Sequence, residues 1–193
     1  MRIILAEMAK QNEALVLLAS PRRNSNSTAA ALAAAAVIAK KIKPVNVNDV
    51  PIKPCSACGS CAKIMKCRDR DGAAALIRLV ERADTVIAAS PVYFTGVPAP
   101  FKAFIDKNQP QWEKYRKRPA GKKKMKTGII VLTAGCGKKK YFAPAESEIR
   151  SFFAVNGIKT RLVIRLGRMD RQGASYGVLT RVRKAAGKLV KNG

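Results

Sequence analysis

The chain of 193 residues contains no histidine. Histidine-based catalytic triads and imidazole proton shuttles are therefore excluded. Aromatic residues make up only 6% of the sequence and are not interleaved with its basic runs as base-stacking platforms would be, which argues against a nucleic-acid module. No segment approaches the ~20 apolar residues of a membrane span. The apolar start, Met1 to Ala6, meets Glu7 too early for the apolar region of an export signal, so a cytoplasmic protein without a membrane partner is the expectation. Neither G-x-G-x-x-G nor G-x-x-x-x-G-K-[ST] occurs, which removes the dinucleotide fingerprint and the P-loop. Acids are scarce as well: 12 against 38 lysines and arginines, a net charge of +26. Much of the excess lies in "KYRKRPAGKKKMK" (Lys114 to Lys126) and in Lys138 to Lys140. Three readings of it stand side by side: a solvated face, a docking surface for an acidic electron-transfer protein or anionic substrate, and a non-catalytic module that binds nucleic acid or another polyanion.

What is present is an alternation of buried strands and helices. With 48% hydrophobic residues the chain can bury one core, and neither an internal repeat nor a strong boundary divides it, so residues 1–193 read as a single domain. After a segment of helical character (Arg2 to Asn12), "ALVLLAS" (Ala14 to Ser20) is a short apolar run of the kind buried in parallel sheets. Ser25, Asn26 and Ser27 offer N-cap side chains to the alanine-rich stretch that follows, with Lys40, Lys41 and Lys43 at its helical C-terminus. "PVNVNDV" alternates as an outer strand, whereas "ADTVIAAS" (Ala83 to Ser90), "TGIIVLTAG" (Thr127 to Gly135) and "IKTRLVIRL" read as further strands. Helical patterns over Ala73 to Arg82, Pro98 to Lys107, Ala145 to Asn156 and Tyr176 to Lys191 separate or follow them, and Gln109 to Lys126 reads as a mobile or partner-facing loop. The alternation predicts an α/β fold: a doubly wound, five-stranded parallel sheet of order 2-1-3-4-5 with helices on both faces. In that order ligands sit beyond the carboxyl ends of strands one and three.

The first such loop, "SPRRNSNS" (Ser20 to Ser27), carries hydroxyls, amides and two arginines into a helix N-terminus, where free N–H groups and the dipole favour an anion. A phosphate explains it better than an ordinary capped turn. "ASPRRNSNS" resembles the S-P-R-x-x-S-N-T loop of the flavodoxin-like NAD(P)H-dependent FMN reductase superfamily, and "ASPVYFTGVPAPFKAFIDK" (Ala89 to Lys107) is similar to that superfamily's second flavin loop and helix. The departures are Ala19 for the usual glycine and Ser27 for threonine. The resemblance implies that Ser20, Arg22, Ser25, Asn26 and Ser27 hold the FMN phosphate. It implies further that Pro91, Val92, Tyr93 and Phe94 lie against the ribityl chain and ring, with Ala134 and Gly135 at the pyrimidine edge and no catalytic side chain required.

Four of the five cysteines fall in "PCSACGSCAKIMKC", spaced C-x2-C-x2-C-x5-C over Cys55, Cys58, Cys61 and Cys67. Three thiols at two-residue intervals suit the corners of an iron-sulfur cubane better than zinc, whose knuckles usually come in separated pairs; unligated thiols are the remaining alternative. The stretch, in a cysteine-rich insertion at about 51–72, also resembles the iron-sulfur flavoprotein branch of the same superfamily, although Lys66 and Asp71-Gly72 depart from its pattern. That resemblance implies a four-iron, four-sulfur (4Fe-4S) cluster near a subunit interface, hence a homodimer or homotetramer. Lys53, Lys63, Lys66, Arg68 and Arg70 around it would stabilise a reduced cluster and attract an acidic donor such as ferredoxin. Cys136 reads either as a small buried residue or as a thiol beside the flavin. The expected function is an FMN-dependent oxidoreductase passing electrons between cluster, flavin and a small acceptor such as a quinone or dioxygen. A cluster-free NAD(P)H-dependent FMN or quinone reductase is the alternative, with NAD(P)H as donor.

Overall fold

The middle layer of the computed structural model is five parallel strands: β1 (Glu13–Leu18), β2 (Lys41–Asn46), β3 (Thr85–Pro91), β4 (Lys126–Thr133) and β5 (Ile158–Leu166). Residues 13–117 and 125–191 are described; the helical expectation for Arg2 to Asn12 lies outside them. The strand order is β2-β1-β3-β4-β5, the doubly wound arrangement read from the sequence. Alternation along each central strand sends apolar side chains to both faces. Leu15, Leu17, Val86, Ala88, Ile130 and Leu132 pack beneath α3 (Ala73–Arg82), α4 (Ala99–Asp106) and α6 (Ala143–Val155). The opposite face sets Ala14, Val16, Ile87, Ala89, Ile129 and Val131 against α1 (Asn26–Ile38) and α8 (Tyr176–Lys191).

The two faces are filled differently. On the first, Phe104 and Phe152 meet edge to face at 5.5 Å between centroids and Phe101 joins them at 6.4 Å. Phe153 presses so close to β4 that a Cβ on Gly128 would stand 2.7 Å from its ring. The register of β4 against β5 shifts at that glycine. On the second face α1 offers almost nothing but alanine: Ala30, Ala31, Ala33, Ala34 and Ala35 are all buried.

Two expectations change. The alanine-rich helix ends at Ile38, where Ala39 turns to extended backbone, so Lys41 and Lys43 lie on β2 instead of a helix C-terminus. Among the described residues β2 is the sheet's edge and pairs only with β1, and exposed edge lysines discourage further pairing. The segment expected as a loop from Gln109 begins as a helix, α5 (Gln109–Arg116), with Pro110 in its first turn and Gln111 buried and donating to Glu81 at 3.0 Å. Residues 118–124 of that basic run lie outside the described residues. Among the described residues no helix is long and apolar enough to cross a membrane.

Candidate functional site

Four strand-end segments, after β1, β3, β4 and β5, meet at the carboxyl edge of the sheet around an open cleft of about 300 Å³. After β1, Ser20 is buried and its hydroxyl accepts from Arg22 N–H at 3.2 Å. Ser25 caps α1 by accepting from Thr28 N–H at 3.1 Å, and its hydroxyl meets Ser27 at 3.0 Å. A helix start so furnished presents unpaired N–H groups and hydroxyls to an anion. After β3, Val92 N–H donates to Thr133 at 2.8 Å, so the second loop is laid along the end of β4. After β4, Ala134 N–H donates to Leu166, and Met169 N–H returns to Ala134 O at 3.0 Å.

Of the residues singled out in the sequence, Ser20, Arg22, Ser25, Asn26, Ser27, Pro91, Val92, Tyr93, Ala134 and Gly135 all line this cleft. Phe94 does not. It occupies a tight turn closed by mutual backbone hydrogen bonds between Tyr93 and Gly96, has φ +47°, and is fully exposed at 105%. Cys136 is exposed and outside the cleft lining, so it is not a buried strand-end residue. Sequence reasoning missed Asn24, Thr133, Met169 and Asp170. Asn24 lay within the quoted loop, but Met169 and Asp170 come from the short α7 (Met169–Gln172) after β5, where no motif marks them. The structure gives their reason: Asn26 Nδ2 donates to Met169 O at 3.3 Å, and the Asp170 carboxylate lies so near Gly135 that a Cβ there would collide with it.

The cysteines form a second site. The insertion between β2 and α3 is closed at its neck by Gly72 N–H donating to Pro51 O at 2.9 Å. Inside it, Ala57, Gly59 and Met65 adopt left-handed backbone and bend the chain around α2 (Ser60–Ile64). Cys55, Cys58, Cys61 and Cys67 thereby line one open cavity of about 430 Å³, walled on the far side by Asp69, Asp106 and Lys107. Burial pushes the Cys61 thiol up, and the charges of Cys67, Cys55 and Cys58 push it further. Ser60 hydrogen bonds lower that of Cys58. Among the described residues no group of three or more His, Cys, Asp or Glu side chains is already gathered as a metal site. Four soft donors facing one cavity are nonetheless the donor set an iron-sulfur cluster requires.

Lys107, which the sequence did not single out for the site, is 1% exposed at the end of α4. It pairs with Asp69 and, at 3.3 Å, with Asp71. Burial opposes its charge, yet those bonds hold the ammonium above its usual range. The same hydrogen bond from Lys107 holds Asp69 below the ordinary carboxylate range.

A doubly wound parallel sheet whose anion-seating helix start and strand-end loops surround one cleft defines a flavodoxin-like cofactor-binding protein. Residues 13–161 match the family described as NADPH-dependent FMN reductase, and the chain belongs to it. An iron-sulfur flavoprotein of Archaeoglobus fulgidus is 38% identical over 134 residues, 68% of this chain and 59% of that protein. Another, from Methanocaldococcus jannaschii, is 32% identical over 94 residues, covering 47% of this chain and 49% of that protein. The chain thus spans about half the length of these curated relatives. In fold it is similar to an NAD(P)H:quinone oxidoreductase from Methanothermobacter marburgensis, with a TM-score of 0.66 at 16% identity over 93% of this chain and 98% of that one.

Proposed function

We propose that this chain is an FMN-dependent oxidoreductase carrying a four-iron, four-sulfur cluster, which exchanges electrons between a donor and a small acceptor such as a quinone or dioxygen. The carrying observation is the meeting of the loops after β1, β3 and β4 in one cleft over the N-terminus of α1. Ser20, Ser25, Asn26, Ser27 and Arg22 bind the phosphate by hydrogen bonds and charge, with the free N–H groups of α1 behind them. Pro91, Val92 and Tyr93 flank the ribityl chain and ring, while Ala134 and Gly135 lie at the opposite, pyrimidine edge. When bound, FMN supplies hydride and single-electron chemistry, so no histidine is needed. The Asp170 carboxylate beside Gly135 is placed to accept a hydrogen bond from a ligand N–H or hydroxyl.

Cys55, Cys58, Cys61 and Cys67 would hold the cluster, which supplies one-electron transfer. The relatives' names, iron-sulfur flavoprotein, support this part. Lys53, Lys63, Lys66, Arg68 and Arg70, exposed and close to the cysteines in sequence, suit an acidic donor such as ferredoxin; NAD(P)H is the other donor. α4 starts just after the second flavin loop and ends at the thiol pocket, about 12 Å away by helical rise. A homodimer or homotetramer is part of the proposal.

Anaerobic purification followed by iron, acid-labile sulfide and FMN assays tests the reading. It predicts roughly four irons and four sulfides per chain and one saturable FMN site. FMN binding without iron would leave a cluster-free reductase; zinc in place of iron would reject the cluster. A protein that gains no flavin bands on titration would reject the whole.

A further inference from the structure

We propose that Lys107 is the positioning residue of the thiol pocket: its buried ammonium, set between Asp69, Asp71 and Cys67, fixes the fourth cysteine and offsets the charge of a cluster held there. The inference rests on the cluster reading above. The basic residues next to the cysteines in sequence, Lys53, Lys63, Lys66, Arg68 and Arg70, are all exposed. Water and salt screen charges so placed. Lys107, 40 positions after Cys67, is the only buried cation among the described residues. Its Nζ lies 3.9 Å from Cys67 Sγ and donates to Asp69 and Asp71.

Asp71 makes the contact a structural clamp. Its carboxylate accepts from Lys53 N–H at 3.0 Å, where the cysteine segment enters, and from Ala73 N–H at 3.0 Å, where α3 begins. One ammonium therefore joins the two limbs of the insertion to the end of α4. Asp69 has the simpler role, since its carboxylate pairs with Lys107 and accepts no backbone bond among the described contacts. A buried charge a few ångströms from a ligand sulfur acts at low effective dielectric and favours the more negative, reduced cluster.

The test is anaerobic redox titration of the cluster in the wild type and in K107M, K107R and D69N, followed by electron paramagnetic resonance, with iron and FMN content measured alongside. K107M leaves two carboxylates beside the cluster without their cation, and its reduction equilibrium constant should fall at least tenfold, about 59 mV for a one-electron couple. K107R, which keeps the charge, should stay within threefold of wild type. D69N should move in the opposite direction, to a higher potential, because it removes a negative charge and spares the lysine. Loss of iron from K107M with FMN retained, rescued in K107R, also supports positioning. If K107M fails to fold, the upward shift in D69N carries the test. Shifts of one sign in K107M and D69N, or none in either, overturn the inference. A wild type without iron or sulfide instead overturns the cluster reading on which it rests.

Discussion

The cleft and the thiol pocket lie at opposite ends of α4, yet they are built on different principles. The cleft is made of backbone: strands hydrogen-bonded inside a buried sheet end at one edge and deliver their loops to fixed positions, as where Val92 and Ala134 bond across neighbouring strand ends. The pocket is made of a segment outside the sheet, with Cys55 and Cys58 exposed and its limbs tied by the Gly72–Pro51 neck bond, the bond from Lys53 N–H to Asp71 and the charges around Lys107. A site anchored in a sheet inherits the stability of the core. A site on an insertion depends on whatever pairs inside it and on what it binds.

Variants can separate the two. The largest effect is expected from F104A, which empties the centre of the three-ring contact beneath α4: a loss of about 3–5 kcal/mol in denaturant unfolding, with both sites weakened together. Next, C61S should abolish iron and sulfide while the FMN dissociation constant, read by fluorescence quenching, stays within about twofold; comparable loss of FMN would mean the sites are not separable. R22A should do the reverse, weakening FMN roughly ten- to hundredfold by removing a charge-assisted hydrogen bond of about 1.5–3 kcal/mol, with iron content unchanged. S25A should cost about 1 kcal/mol by removing the N-cap of α1, a shift of about 2–4 °C in melting temperature. The smallest effect is acid sensitivity. Asp69 sits below its ordinary range, as does Glu146, whose burial is outweighed by hydrogen bonds from Arg150 and Arg165. Their contribution is present above about pH 4 and is lost as pH falls through the folded values. E146Q should flatten the acid limb of a stability profile, and an unchanged limb would remove Glu146 from the account.

The fold was legible because its signals are local and repeated. Runs such as "ALVLLAS" and "TGIIVLTAG" admit little but a buried strand, and their spacing by helical patterns leaves few topologies. The first two cleft loops were legible for the same reason, each being a contiguous motif attached to a strand end. What the sequence hid is what folding brings from far away. Asp170 reaches Gly135 only because the β5 loop returns across the end of β4. Lys107 is one lysine among many until α4 places it under the thiols. Lys41 and Lys43 show the opposite failure, since a good helix C-terminal pattern gave way to pairing of β2 with β1. Phe94 was in the motif but out of the cleft, because the turn at Tyr93 to Gly96 carries it into solvent.

The alanines of α1 have a last consequence. Alanine has no rotamer to lose or rearrange, and the helix packs on the sheet with α8 beside it, so its amino end is held in place by the core. For the anion site proposed above, this means that the helix start is held by the core independently of a ligand, so binding there would reorganise the helix little.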